Sequence, residues 1–584
     1  MRKVYRLILE YGLIIIISIP AFTSLLNPYF FTMHDSQQTA RLFVLTEALS
    51  QGSIYPRWVD VFGFNYGYPL FNFYPPLIYY VGAFFHLLGF SILWSVKMVV
   101  IAGYILAAVG MYMFVKKLLN NRPAAYLASV LYTYFTYHAI NAYVRGAMAE
   151  FFSMTVLPFV FLSLETLRRD TSIKNAFFFS ITFGLLILTH PLIAFPAMLF
   201  IGAYMLHSLV LHTNKIKYTL HAALGIAFGL LMSAFFWLPS MIERKFTLVD
   251  SILLKELASY TIHFVFPDQL WFSAWGYGGS GAGYADGMSF QLGKVHIAIA
   301  IFALVMCLIA IAFKRRLPID RPKTLFNDFG FFVLFGAGAI FMMISQSEFL
   351  WNLISFLQYL QFPWRFMTFI GLFISVIGAY GIYFATSLLK GKHAMIAAIA
   401  LVIIMSIGTI ATYQKYFKPQ EYMKVSDKQL TSFDEIAWRV SRTSFEFVPK
   451  GVKTKNSEYG TTVLAIDKKD LNRSQFDVKN GTAKVTPIKT VYDEKVFDID
   501  TASGAQFTLH TYNFPGWMAY LDGTKTKISD SNDLKLITVS MPAGKHQLRF
   551  VFEDTPVRTI ANTLSLVSII LITSSFFINF KKRT

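Results

Sequence analysis

Long apolar runs punctuated by short polar turns dominate this chain. Runs long enough to cross a bilayer as helices lie at 7–26, 95–115, 124–140, 150–167, 175–190, 193–212, 218–239, 295–313, 329–345, 365–387, 394–414 and 558–580. A further apolar segment, 77–93, is ambiguous. The basic residues decide it. Arg2, Lys3 and Arg6, Lys116, Lys117 and Arg122, Arg168, Arg169 and Lys174, Lys215 and Lys217, Lys314 to Lys323, Lys390 and Lys392, and Lys581 to Arg583 cap the runs. They share one side only if 77–93 does not cross. The positive-inside rule therefore predicts twelve spans, a surface or re-entrant helix at 77–93, and both termini in the cytoplasm. The run at 7–26 lacks a small-residue cleavage site and reads as an uncleaved anchor in the plasma (cytoplasmic) membrane.

Three large regions then face outward: 27–94, 240–294 and 415–555. The first holds an amphipathic stretch, 37–51, followed by Tyr55-Pro56-Arg57-Trp58 and a Tyr- and Pro-rich run suited to the headgroup region. The second is rich in glycine and aromatics around Trp275 to Tyr284 and reads as a mobile loop near a site. In the third, period-two runs at 506–512, 534–540 and 546–552, with turns at Asp522-Gly523 and Pro542-Ala-Gly544, predict a small antiparallel sandwich. The expected organisation is a transmembrane catalytic domain over 1–414, an extracytoplasmic β domain over 415–555 and a membrane anchor over 556–584. Asn472 and Asn480 match the glycosylation triplet, a pattern common by chance.

Composition agrees. Hydrophobic residues make up 55% of the 584 and charged residues only 15%, which excludes a soluble globular protein. The net charge of +19 resides largely in the caps, so it marks topology rather than nucleic-acid binding. Cys307 is the single cysteine, so no disulfide forms within one chain.

With this topology, Asp35, Arg145, Glu150, His190, Glu243, Arg244, Glu348 and Arg365 all fall at the outer ends of spans. Ionisable groups at membrane depth are costly, so their coincidence on one face predicts a site. Each also has a plain structural reading. Asp35 or Ser36 suits a helix N-cap, His190 before a proline suits a helix end, Arg145 and Arg365 suit snorkelling, and Glu150 suits a pair with Arg145. The functional reading is a lipid-phosphate site. Arginine binds a phosphate bidentately and stabilises it as a leaving group, while a carboxylate deprotonates an acceptor hydroxyl.

Met33-His34-Asp35, Tyr55-Pro56-Arg57-Trp58, Gly67-Tyr68-Pro69, Tyr74-Pro75-Pro76, Arg145 to Glu150, Gln361-Phe-Pro-Trp-Arg-Phe366, Glu446-Phe-Val-Pro449, Pro515-Gly516-Trp517 and Pro542-Ala-Gly544 carry a resemblance over nearly the whole chain. The chain resembles the bacterial membrane proteins labelled pyruvoyl-tetrahydropterin-synthase-related, which are similar to the GT-C superfamily of polyprenyl-linked glycosyltransferases. The resemblance implies a GT-C core, a catalytic Asp35 and surface helices in the first outer loop. The zinc-histidine constellation of a pterin synthase is not apparent in the sequence, and no Asp-x-Asp or Glu-x-Asp metal signature surrounds Asp35. A divalent metal, magnesium or manganese, stays open.

The expected function is transfer of a sugar from a polyprenyl-phosphate donor in the bilayer to an outward-facing cell-envelope glycan or glycolipid, with no nucleic-acid partner. Asp35 and Glu150 are the catalytic candidates and Arg365 and Arg145 the phosphate binders. His34, His190, Arg57, Trp58, Glu243, Arg244 and Trp364 are substrate-binding candidates. The rival readings are a flippase for a lipid-linked sugar and a non-catalytic assembly scaffold.

Overall fold

The computed structural model describes residues 2–253, 259–313, 322–389, 391–457, 461–471 and 474–578. Lys314, Arg315, Arg316, Arg321, Lys390, the basic 581–583 run and Asn472 lie outside the described residues. The protein is a mostly helical, multi-pass membrane protein with a β-rich region near its C-terminal end.

Nine helices among the described residues are long and apolar enough to cross a bilayer, or ten if the bent pair Lys215–Met232 and Ala234–Phe246 forms one span. Three of the predicted spans differ from straight helices. The bent pair turns through 68° at Ser233, whose hydroxyl donates back to the Gly229 carbonyl at 2.8 Å. The helix Ile173–Thr189 stops before His190-Pro191, because the residue before a proline is disfavoured in a helix. Its 17 residues rise about 26 Å. The segment 124–140 breaks into Arg122–Thr133, Thr136–Ala139 and a widened π-helical turn, Ile140–Arg145. Such turns are frequent where a side chain is re-aimed for function.

The segment 77–93 contains an eleven-residue helix, Leu77–Leu87, rising about 17 Å. That is too short to span a hydrocarbon core of about 30 Å. It packs with Gln38–Ser50 and with the long helix Ile92–Leu119. Asp427 caps the start of that long helix, accepting from Ile92 N at 2.7 Å. It carries Lys116 about 36 Å from Ile92, to the opposite end of the bundle.

Two antiparallel sheets form the β-rich region. One runs Thr524–Thr526, Trp517–Leu521, Gly544–Phe552, Glu494–Thr501, Ala483–Val491, and the other Leu536–Met541, Ala505–Tyr512, Phe476–Lys479. Phe497 and Phe550 of the first meet Phe507 of the second at 5.1 and 5.9 Å between ring centres, so the sheets face each other. Asp522 (φ +52°) and Gly523 (φ +80°) make the tight turn that the sequence predicts.

The first loop is clamped against this region. Trp58 is buried against Trp517 (5.5 Å) and Phe552 (5.3 Å). Gly67 sits at φ +82°, and a Cβ there would lie 2.5 Å from the Trp58 indole. Lys495 pairs with Asp60 at 2.9 Å, and Tyr512 N donates to the Tyr66 carbonyl at 2.7 Å. The glycine-rich loop is likewise pinned: Trp275 stacks on Tyr416 at 4.3 Å, and Asp286 accepts from Gln269 and Gly281.

Candidate active site

Between the first loop, the helix ends beside it and the segment 443–447 lies a cavity of about 850 Å³, within the size range of small-molecule sites. Asp35, Arg145, Glu150, His190, Arg244 and Arg365 all line it, so the structure gathers six separated polar residues at one place.

Glu150 is the centre of the charge arrangement. It lies in the first turn of the helix Met148–Arg169 and is 1% exposed. One carboxylate oxygen, Oε2, accepts from Arg145 Nη1 at 2.8 Å and from Arg365 Nε at 3.2 Å, and Tyr137 donates to Oε1. Two guanidiniums therefore share one carboxylate, which leaves a surplus positive charge in a buried place. Arg145 also donates to Asn141 at 2.6 Å, within the widened turn, and lies 4.5 Å over the Trp364 ring. Arg365 Nη1 is held by the Leu360 carbonyl at 2.7 Å. Both arginines point inward rather than snorkelling outward.

Asp35 sits opposite and is 37% exposed at its side chain. The backbone positions it: His34 N donates to Val144 O at 3.0 Å and Asp35 N to Arg145 O at 2.7 Å. Gln38 Nε2 adds a bond to Gly146 O at 2.8 Å. No N-cap is made. The helix Gln38–Ser50 has Gln37 at its cap with no side-chain bond, and Ser36 accepts instead from Arg439 Nη1 at 2.9 Å. The Asp35 carboxylate instead meets His34 Nδ1 at 3.0 Å. Burial alone would raise its pKa, yet His34, Arg145 and Arg41 hold it below the usual carboxylate value. The same hydrogen bond to Asp35 raises the His34 pKa.

Gly146 makes this docking possible. It adopts φ +66°, and a Cβ would fall 2.5 Å from Met33 Sδ. Gly146→Ala is expected to cost about 1–2 kcal/mol, the penalty of a left-handed non-glycine residue. It should also lower activity by displacing Asp35. Thermal melts in detergent check the first effect and turnover the second.

His190 caps the helix Pro191–Leu211, its Nδ1 accepting from Ile193 N at 3.2 Å, while also lining the cavity. Arg244 lies over Tyr359 at 4.5 Å, with Asp250 3.8 Å away. The other candidates are elsewhere. Arg57 bonds Asn72 (3.0 Å), the Phe235 carbonyl (2.8 Å) and Asn562 (2.9 Å). Glu243 accepts from Arg558 at 2.9 Å and Asn72 at 2.8 Å. These two residues tie the first loop to the final helix, and Trp58 packs beside them. Trp364 lies under Arg145 without lining the cavity, His34 does not line it either and faces Gly279 of the glycine-rich loop, and Glu348 is exposed. A sequence reading had no means to separate structural charge pairs from site residues at the same depth.

Arg41, Ser444 and Glu446 also line the cavity, and none of them is among the site residues expected from the sequence. Arg41 is almost fully buried, 3.7 Å over the Tyr74 ring, with Nη2 donating to Ser444 Oγ at 3.1 Å. Glu446 stands nearby, its pKa raised by burial. Gln37 stands four positions before Arg41, the spacing that brings two side chains together on a helix, and both line the cavity. Among the described residues no three His, Cys, Asp or Glu side chains gather to hold a metal ion. The cations near Asp35 suit an anionic ligand.

Below the charged rim the wall turns apolar, with Ile187, Leu192, Phe195, Met198, Leu230 and Trp237. Met198 and its neighbour Leu199 on the helix Pro191–Leu211 are both well exposed, so the apolar wall adjoins an exposed apolar helix surface.

A family model described as 6-pyruvoyl-tetrahydropterin synthase related domain, membrane protein, matches residues 71–417. No curated protein matches. Among solved structures, the chain is similar to the arabinofuranosyltransferase AftD from Mycobacteria, at 12% identity and TM-score 0.45, over 72% of this chain and 28% of that one. It is also similar to the Archaeoglobus fulgidus oligosaccharyltransferase, at 14% identity and TM-score 0.38, over 71% of this chain and 54% of that one. It thus spans less than a third of the first and about half of the second.

Proposed function

The chain belongs to the 6-pyruvoyl-tetrahydropterin synthase related family of membrane proteins, and we propose that it is a glycosyltransferase using a polyprenyl-phosphate-linked sugar. The observation that carries this reading is the cavity itself. It joins an ionised acid, two buried arginines with surplus positive charge and an apolar wall adjoining an exposed apolar helix surface. A sugar phosphate on a long apolar chain has the same division of polarity.

In the proposed reaction Asp35 takes the proton of the acceptor hydroxyl, and the acceptor oxygen bonds to the anomeric carbon. The bond from that carbon to the phosphate oxygen breaks, and the polyprenyl phosphate leaves with its negative charge facing Arg365 and Arg145. Glu150 orients both arginines, and His190 and Arg244 border the phosphate. A carboxylate held at low pKa is a weak base, so proton transfer accompanies departure of the phosphate rather than preceding it. On the acid side, activity is expected to persist below the ordinary aspartate pKa of about 3.9, because a depressed pKa keeps Asp35 ionised there. A pH–rate profile checks this.

We place the cavity on the extracytoplasmic face of the cytoplasmic membrane, with both termini in the cytoplasm and a cell-envelope glycan or glycolipid as acceptor. Cysteine labelling from outside intact cells should reach position 474 and not position 120. Labelling at 120 would invert the assignment.

Arg365→Lys keeps a cation beside Glu150 but loses the planar fork. Donor binding should weaken by about 1.5–3 kcal/mol, roughly 10- to 150-fold. An Arg365→Ala variant with unchanged donor affinity would remove this residue from the phosphate site. The deciding experiment compares lipid-linked sugars and envelope glycans in a deletion strain. The donor should accumulate and one glycan should disappear; unchanged pools of both overturn the proposal.

A further inference from the structure

At the end of the bundle opposite the active-site cavity, a second cavity of about 580 Å³ opens between the turn after Ile92–Leu119, the end of Met367–Ser387 and the start of Gly391–Tyr413. Lys116, Asn120, Arg122 and Ser387 form its polar side, and Leu389 and Met395 its apolar side. Lys116 and Arg122 share a single buried carboxylate, Glu10, with Arg122 Nε 3.4 Å from it and Tyr112 also donating to it at 2.5 Å. Among the described residues two cations stand against this one acid, which leaves a net positive charge, and the side chains of both cations are partly exposed.

The apolar side continues outward. Leu389, Met395, Ile396, Ile399 and Ile403 are exposed, and the helix that carries most of them is the least buried of the candidate spans. A cationic recess at one end of an apolar, lipid-facing helix surface has the polarity of a phospholipid's partner: head group in the recess, acyl chains along the helix. A neutral lipid leaves the surplus charge unanswered, whereas an anionic one compensates it.

We propose that this recess is a binding site for an anionic glycerophospholipid, held by Lys116 and Arg122 at the head group and by the 395–403 face along the chains. The site shares no residue with the active-site cavity and does not depend on the glycosyltransferase reading. Each cation near a lipid head group is worth about 1 kcal/mol, roughly fivefold in affinity.

The test uses the full chain in phosphatidylcholine nanodiscs carrying a minority of phosphatidylglycerol, with retained lipids counted by native mass spectrometry. The wild type should retain phosphatidylglycerol over phosphatidylcholine by about fivefold or more. The triple variant Glu10→Gln, Lys116→Gln, Arg122→Gln, which leaves no buried acid unpaired, should lose that preference. Asn120→Asp leaves the Glu10 pairs intact, adds a negative charge to the recess, and decides the matter if the triple variant does not fold. It should lower the preference by a similar factor. Equal retention of the two lipids by the wild type, or undiminished preference in Asn120→Asp, overturns the proposal. So does stabilisation by inorganic phosphate alone equal to that by phosphatidylglycerol, which would make the recess a site for a free anion.

Discussion

Asp35→Asn should leave folding near wild type while lowering transferase activity by about 10²–10⁴-fold, the usual worth of a positioned base. Asparagine is nearly isosteric and still accepts from His34, but it cannot take the acceptor's proton. The backbone bonds from 34 and 35 to 144 and 145 do not involve the side chain, so the loop stays docked. Because Asp35 makes no helix cap, Asp35→Ala should also lack the loss of about 1 kcal/mol that removing a cap brings. Turnover of purified protein with a lipid-linked donor, beside thermal melts of both variants, checks the pair. A flippase needs no base, so full function in the asparagine variant would favour transport over transfer.

Glu150→Ala should be the most destabilising change in the site. It removes the one carboxylate between Arg145 and Arg365, leaving two buried guanidiniums facing each other. Breaking a buried pair by removing one partner costs about 3–5 kcal/mol. Glu150→Gln keeps the shape and an acceptor oxygen and should recover part of that loss, though the surplus charge grows by one. Melting in detergent gives the order wild type, then Gln, then Ala. A Glu150→Ala protein as stable as wild type would show that the arginines are compensated elsewhere.

Much of this arrangement is legible in the chain and some is not, for definite reasons. Asp35 stands out because an acid nine residues past the first apolar run is costly without a purpose. Arg145, Glu150 and Arg365 stand out because basic-loop asymmetry assigns them to one end. Their sharing of a single carboxylate oxygen is invisible, since Arg365 and Glu150 are 215 positions apart. Arg57, Trp58 and Glu243 mislead for a related reason. Aromatic and charged residues at a membrane boundary look alike whether they meet lipid, sugar or protein, and their partners here, Asn562, Trp517 and Arg558, come some 300 to 500 residues later. The broken helix at 124–140 is unmarked by any proline or glycine inside the break; only Gly146, past its end, signals it.

The far wall of the cavity has a consequence for how the protein is made. Arg41 reaches Ser444 across 403 positions, and Glu446 stands beside them, beyond the last residue matched by the family model. At about 5–20 residues per second, a ribosome needs roughly 20–80 s to travel from the acid at 35 to that wall. Arg145 and Arg365 join the acid at 35 during that interval, and the chamber stays open on the side that 443–447 closes last. A product cut short at 417 would hold the matched segment and still lack that side. The cavity is therefore completed only when the chain beyond the matched segment has been made.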